Sequence, residues 1–185
     1  DSVFVKPFLT KRDLSVLRKR VEMKEQARKK EAYYHLIDTY FSPHLFFNKL
    51  DTTDMGITDI INKMIEDLSA QAYVDDSFYE SVRRREAMSP TSFPSNIAVP
   101  HSVELDALKS GISILTLQEP IKWADYNVTM VAMVAINKED SQEFGKLFEI
   151  FTESASESDN VDRLTAAENF EEFVMDLKLM IDDLT

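Results

Sequence analysis

The chain has 185 residues, 44% of them hydrophobic, a formal net charge of −12 and no cysteine. That length fits one ordinary domain plus an appendage, with enough apolar content for a core, and the lack of cysteine excludes disulfides, thiolate metal sites and cysteine nucleophiles. No apolar run approaches a membrane span and Asp1–Lys6 lacks a signal-peptide layout, so a soluble cytoplasmic protein is expected.

The charge is uneven. From Lys11 to Lys30 nine basic residues stand against three acidic ones, which leaves the remainder strongly acidic and argues against nucleic-acid binding by the whole chain. The basic stretch has helix-forming composition, with Leu14, Leu17 and Val21 at i, i+3 and i+7, and is read as a linker helix. The intervening Glu22 and Glu25 and the lack of stacking aromatics give no support to direct nucleic-acid contact. Tyr33, Tyr34, Tyr40, Phe41, Phe46 and Phe47, interrupted by Pro43, form an aromatic strip expected to dock this helix on the domain body. The organisation expected is a basic linker and docking segment over 1–43 and a domain over 44–185.

Leu45–Leu50 reads as a short strand or edge segment. Ile57, Ile60, Ile61, Met64, Ile65 and Leu68 then mark one apolar face of a helix. A second helix is expected from Ser77 to about Met88, opened by a capping box in which Ser77 pairs with Glu80. Phe78, Val82 and Arg85 share a face of it, while Arg83 and Arg84 fall outside. An arginine turned toward a core needs either an anion or a structural ion pair to offset its desolvation, and the residues alone leave both readings open.

A polar loop with two prolines leads to the short apolar strand Ile97–Val99, which Pro100 ends by removing a backbone donor. His101 is thereby released at a strand terminus, where α/β sheets gather ligand-binding and catalytic groups. Val103–Lys109 is expected to add a helical turn or two ended by Gly111, with its free N–H groups near a phosphate. Strands follow over Ile112–Gln118 and Val128–Ile136, joined by a turn-bearing segment from Glu119 to Asn127; the second is apolar enough for a central strand. Phe144, Leu147, Phe148 and Phe151 define a helix, and a last helix starts at Asn169 with Glu172 completing its cap. Strands alternating with helices give an α/β fold.

With only three glycines, neither a Walker loop nor a dinucleotide fingerprint can be written. The three histidines are dispersed, so no metal site is expected, and no Gly-flanked nucleophile elbow is present. His35 and His44 read as surface or packing residues, which leaves His101 as a candidate nucleophile acting without a cofactor.

The segments Arg85-Glu86-Ala87-Met88-Ser89-Pro90-Thr91, Asn96-Ile97-Ala98-Val99-Pro100-His101 and Ile121-Lys122-Trp123 together resemble the mannitol/fructose-type enzyme IIA domain of the bacterial phosphotransferase system, over about Leu45 to Leu184. The resemblance implies a mixed, mostly parallel sheet flanked by helices on both faces and preceded by the linker helix. It implies that His101 is phosphorylated by the carrier protein HPr, that Arg85 stabilises the phosphoryl group, and that a cysteine of an enzyme IIB domain, or of an upstream IIB-like domain, is the onward acceptor. Neither nucleotide nor metal is then required. The pattern departs at one place: mannitol-type members carry a second histidine early in the helix after the central strand, and Asn137–Phe144 has none. That suits a phosphoryl state that persists as a signal, with Ser141 or Gln142 as neutral hydrogen-bonding substitutes. Pro7–Asp13 and the basic helix resemble the junction before the IIA-like domain of Bgl/Lic/Mtl-type antiterminators or activators, through which any oligomer would form; a transport subunit passing phosphoryl to enzyme IIB is the alternative expectation.

Overall fold

The computed structural model describes residues 10–185; the readings of Asp1–Lys6 and of the start of the junction at Pro7 lie outside the described residues. Thr10 opens the first helix, α1 (Lys11–Tyr40), with a capping box in which its hydroxyl accepts from the Asp13 amide and the Asp13 carboxylate accepts from the Thr10 N–H. Nearly all of α1 up to Ala32 is exposed, whereas Leu36, Ile37 and Tyr40 are buried. Leu36, Ile37, Tyr40 and Phe41 lie in one core cluster, with Tyr33 and Phe46 packed against it, so that core draws on residues on both sides of 43. Three cross-links hold the end of α1 among the described residues: the Tyr34 hydroxyl donates to Asp182 at 2.5 Å, the Tyr40 hydroxyl donates to Glu143 at 2.9 Å and Lys178 pairs with Asp38 at 3.0 Å.

β1 (Phe41–Leu50) follows without a loop, then α2 (Ile57–Ala70), α3 (Ser77–Met88), β2 (Ile97–Ala98), β3 (Asp106–Trp123), β4 (Tyr126–Asn137), α4 (Ser141–Ala155), α5 (Ser158–Thr165) and α6 (Phe170–Leu184). The sheet order is β1-β3-β4-β2. β1 runs parallel to β3 and β2 parallel to β4, while β3 and β4 form an antiparallel hairpin, so two of the three pairings are parallel in a mixed sheet.

Period-two alternation along the central strands builds one core on each face. Ile112 and Ile114 of β3 and Met130, Ala132 and Val134 of β4 meet the docked end of α1 with α4, α5 and α6. Leu115, Leu117, Val131, Met133 and Ala135 face α2 and α3 instead. Phe41 packs against both Phe151 and Phe173, with ring centroids 5.8 and 6.1 Å apart; burying a side chain of this kind contributes about 1.5–3 kcal/mol. β4 lies between β3 and β2 with both faces covered, the position its apolar run implied.

Several expectations are corrected. Val103–Lys109 holds no helical turn: β3 starts at Asp106, because the Leu108 and Lys109 amides both donate to the Tyr73 carbonyl and the Asn137 side chain donates to the Ala107 carbonyl. Gly111 ends no helix; a Cβ there would lie 2.6 Å from the Tyr73 ring, so glycine is needed for close approach. The segment Glu119–Asn127 is mostly strand, closed by a two-residue turn at Ala124-Asp125 between the paired Trp123 and Tyr126, and Pro120 sits within a register shift. Ser77 is not a cap: its amide and hydroxyl both donate to the Asp75 carboxylate, and α3 follows from Asp76. At α6 the Asn169 side chain does accept from the Glu172 amide, but the returning Glu172 carboxylate takes the Glu168 N–H. α5, short and buried at Val161 and Leu164, was not anticipated. Among the described residues no helix is long and apolar enough to cross a membrane.

Candidate functional site

The approach to His101 is fixed by side chains that satisfy backbone. The Glu86 carboxylate, at the end of α3, accepts from the Thr91 amide and hydroxyl and from the Trp123 indole at 2.7 Å. One residue thus joins the helix, the proline-containing loop and the β3–β4 hairpin. The Ser95 hydroxyl donates to the Ala155 carbonyl at 2.6 Å. Asn96 takes a positive φ of 76°, which its short polar side chain tolerates, and its carbonyl accepts from the Thr129 amide. β2 is thereby laid beside β4.

β2 is only two residues long, but its line continues. The Pro100 carbonyl accepts from the Val134 amide at 3.0 Å and His101 forms an isolated parallel bridge with Val134. The proline removes a donor without releasing the backbone, so His101 is held at the rim of the central strand and is half-buried. Its Nδ1 lies 2.9 Å from the Val99 carbonyl oxygen. A carbonyl can only accept, so Nδ1 carries a hydrogen and, in the neutral ring, Nε2 keeps the free lone pair.

The segment after His101 is fastened to α3. The buried Ser81 hydroxyl accepts from the Val103 amide at 2.8 Å and donates to the Glu104 carboxylate. Arg84 pairs with the same carboxylate at 2.8 Å, and the Ser102 hydroxyl donates to the Glu104 carbonyl. The Ser81 hydrogen bond first, and Arg84 after it, hold the Glu104 carboxyl below the usual carboxylate range. Sequence reasoning missed Ser81 and Glu104 and read Arg84 only as an outward-facing neighbour of Arg85; a serine two residues before three arginines carries no signal until the loop it meets is known.

Arg85 is half-buried near the end of α3, one residue from the Arg84 that grips this loop, and its guanidinium donates to the Ser89 carbonyl at 2.8 Å. Among the described residues no hydrogen bond joins it to His101, and it has no carboxylate partner, so the structural ion pair considered from sequence is absent there. Its remaining N–H groups stay available to an anion. Ser141 and Gln142 open α4 a few residues beyond Val134, the bridge partner of His101. His35 and His44 are both exposed. A groove of about 520 Å³ between α2 and α3, lined by Asn62, Glu66, Asp75, Asp76 and Tyr79 among others, includes none of these site residues. No group of His, Asp or Glu able to hold a metal ion occurs among the described residues.

Comparison with known proteins gives three findings. Residues 40–178 match the family described as "Phosphoenolpyruvate-dependent sugar phosphotransferase system, EIIA 2". The chain is 28% identical over 84% of its length to the transcriptional regulator ManR of Bacillus subtilis, of which it spans 24%, and 26% identical over 68% of its length to the mannitol-specific phosphotransferase enzyme IIA component of the same organism, of which it spans 89%. The fold is shared with enzyme IIA Mtl in its complex with phosphorylated enzyme IIB Mtl from Escherichia coli, with a TM-score of 0.62, 18% identity and coverage of 74% of this chain and 97% of that one.

Proposed function

The chain belongs to the EIIA 2 family of the phosphoenolpyruvate-dependent sugar phosphotransferase system, and on that premise we propose that it is a regulatory enzyme IIA-like module, phosphorylated on His101 by HPr in the cytoplasm. The observation that carries the proposal is the hydrogen bond from His101 Nδ1 to the Val99 carbonyl. It leaves Nε2 as the nucleophile and gives the ring a fixed orientation.

In the transfer, the Nε2 lone pair forms a bond to phosphorus while the bond from phosphorus to the donor's leaving atom breaks and its electron pair departs with the donor. The ring gains positive character, and the Val99 carbonyl on the Nδ1–H offsets it. Catalysis of this kind is positioning plus charge stabilisation. Arg85 supplies the charge toward the phosphoryl oxygens, and the clasp of Ser81, Arg84 and Glu104 fixes the segment that follows the nucleophile.

Two observations favour a signalling role over transport: Asn137–Phe144 has no histidine to assist onward transfer, and the chain is similar over most of its length to a transcriptional regulator. In this reading it is the enzyme IIA-like module of an antiterminator or activator. The alternative, a transport component that hands its phosphoryl group to an enzyme IIB cysteine, draws on the similarity to the mannitol enzyme IIA component. The test is NMR of the phosphorylated chain followed by a chase with an enzyme IIB domain. Nε2-phosphohistidine that discharges slowly is expected; an Nδ1 adduct overturns the proposed geometry, and rapid discharge favours transport.

A further inference from the structure

The exposed half of α1 carries a stripe with a regular pattern. Lys11, Leu14, Leu17, Val21, Lys24 and Arg28 follow one another at spacings of three and four, so three apolar side chains lie between basic ends on one face. Leu14, Leu17 and Val21 are 47, 45 and 54% exposed, and none of the three basic residues has an ion-pair partner among the described residues.

The outer face of α6 carries the complement. Glu171, Met175, Leu179 and Asp183 recur at intervals of four and are all exposed, Met175 and Leu179 at 63 and 46%. Here two apolar side chains lie between acidic ends, and neither acid has an ion-pair partner among the described residues. Beside Met175 and Leu179 a groove of about 290 Å³ runs between α6 and the docked end of α1, with Tyr34 and Val174 in its walls; Lys178 in the same wall is already held by Asp38. The lengths are comparable: at 1.5 Å per residue Lys11 to Lys24 spans about 20 Å, with Arg28 one turn further on, and Glu171 to Asp183 spans about 18 Å.

We propose that two copies of this chain associate by reciprocal exchange, the exposed half of α1 from each seating on the outer face of α6 of the other. The same molecule cannot satisfy itself. α1 is one unbroken helix whose far end is tied to α6 through Tyr34–Asp182 and Lys178–Asp38, so its stripe projects away from its own α6. Pairing of α1 with α1 sets two strongly basic segments together, which like-charge repulsion opposes, whereas α1 on α6 matches basic with acidic ends around an apolar centre. A two-fold axis makes the contact twice. This inference does not depend on phosphorylation of His101.

Analytical ultracentrifugation of the 185-residue chain tests it. The expected result is a concentration-dependent shift from one to two chains that weakens when salt is raised to about 0.5 M, where charges are screened within a few ångströms. A triple variant Lys11→Glu, Lys24→Glu, Arg28→Glu and a double variant Glu171→Lys, Asp183→Lys each stay single, while a one-to-one mixture pairs again because both contacts regain opposite charges. Leu17→Asp also stays single; circular dichroism verifies that each variant keeps its helices. The proposal is overturned by a native chain that stays single throughout, by self-association of the α6 variant at native strength, which means α1 pairs with α1, or by a mixture that fails to pair.

Discussion

The buried hydroxyl of Ser81 accepts the amide of Val103 at 2.8 Å, fastening α3 to the segment that follows His101. The same oxygen donates to Glu104, so a single atom in a helix holds two groups of the loop beyond the proposed nucleophile.

Ser81→Ala leaves the Val103 amide without its partner and leaves the Glu104 carboxylate with Arg84 alone. The hydrogen bond lost at the Val103 amide is worth about 0.5–1.5 kcal/mol, so denaturant unfolding should show a loss of that size. The loading rate of His101 should fall with it, because the segment after the nucleophile is no longer fixed. Unchanged stability and loading together would remove the clasp from the account.

Arg85→Ala separates charge stabilisation from folding. Among the described residues the guanidinium holds only the Ser89 carbonyl, so the melting temperature should change little, since no core packing or carboxylate partner is lost. Loading should slow by about 100-fold, the effect typical of deleting one donor to developing charge. Rapid-quench phosphorylation measures it, and native kinetics would rule out the role given to Arg85.

Gly111→Ala probes the approach of β3 to the α2–α3 connection. The added Cβ would lie 2.6 Å from a Tyr73 ring atom, and overpacking of this kind costs about 1–3 kcal/mol. Thermal unfolding is the measurement; a neutral substitution would mean that the Tyr73 ring moves freely.

Alkaline pH should loosen the docked end of α1. Its hydrogen bond to Asp182, and then burial, push the Tyr34 hydroxyl up to about 12, and burial followed by Glu143 raises Tyr40 as well. Because the folded state favours the protonated phenols, their contribution is complete below the ordinary tyrosine value of about 10 and is lost as pH climbs through the folded values. Tyrosinate absorbance and melting temperature followed across that window provide the check, with Tyr34→Phe showing a flatter pH profile.

The sequence made the helices with strong apolar periodicity legible: α2, α4 and α6 lie where their stripes put them, and β4 reads as central from its apolar run. What failed was decided by partners distant in the chain. Leu105 and Leu108 imitate a helical face, yet β3 begins there because the Tyr73 carbonyl and the Asn137 side chain take the backbone groups of Ala107–Lys109. Ser77 looks like a cap until Asp75, two residues earlier, supplies the carboxylate instead. In the site, a histidine after a proline at a strand end marked itself, but the Val99 carbonyl that sets its tautomer and the Ser81–Glu104 clasp are geometric facts with no signature in residue order. Glu86 and Trp123 stood out only as parts of a family pattern; the structure gives them a physical task, bonding one to the other across the approach to His101.

The central claim is that His101 alone accepts the phosphoryl group. Incubation of the native chain and of His101→Ala with phosphoenolpyruvate, enzyme I and HPr, scored by intact mass and by acid lability of the adduct, tests it most directly. One acid-labile phosphoryl group on the native chain and none on the variant is the predicted result; equal incorporation into both would contradict it.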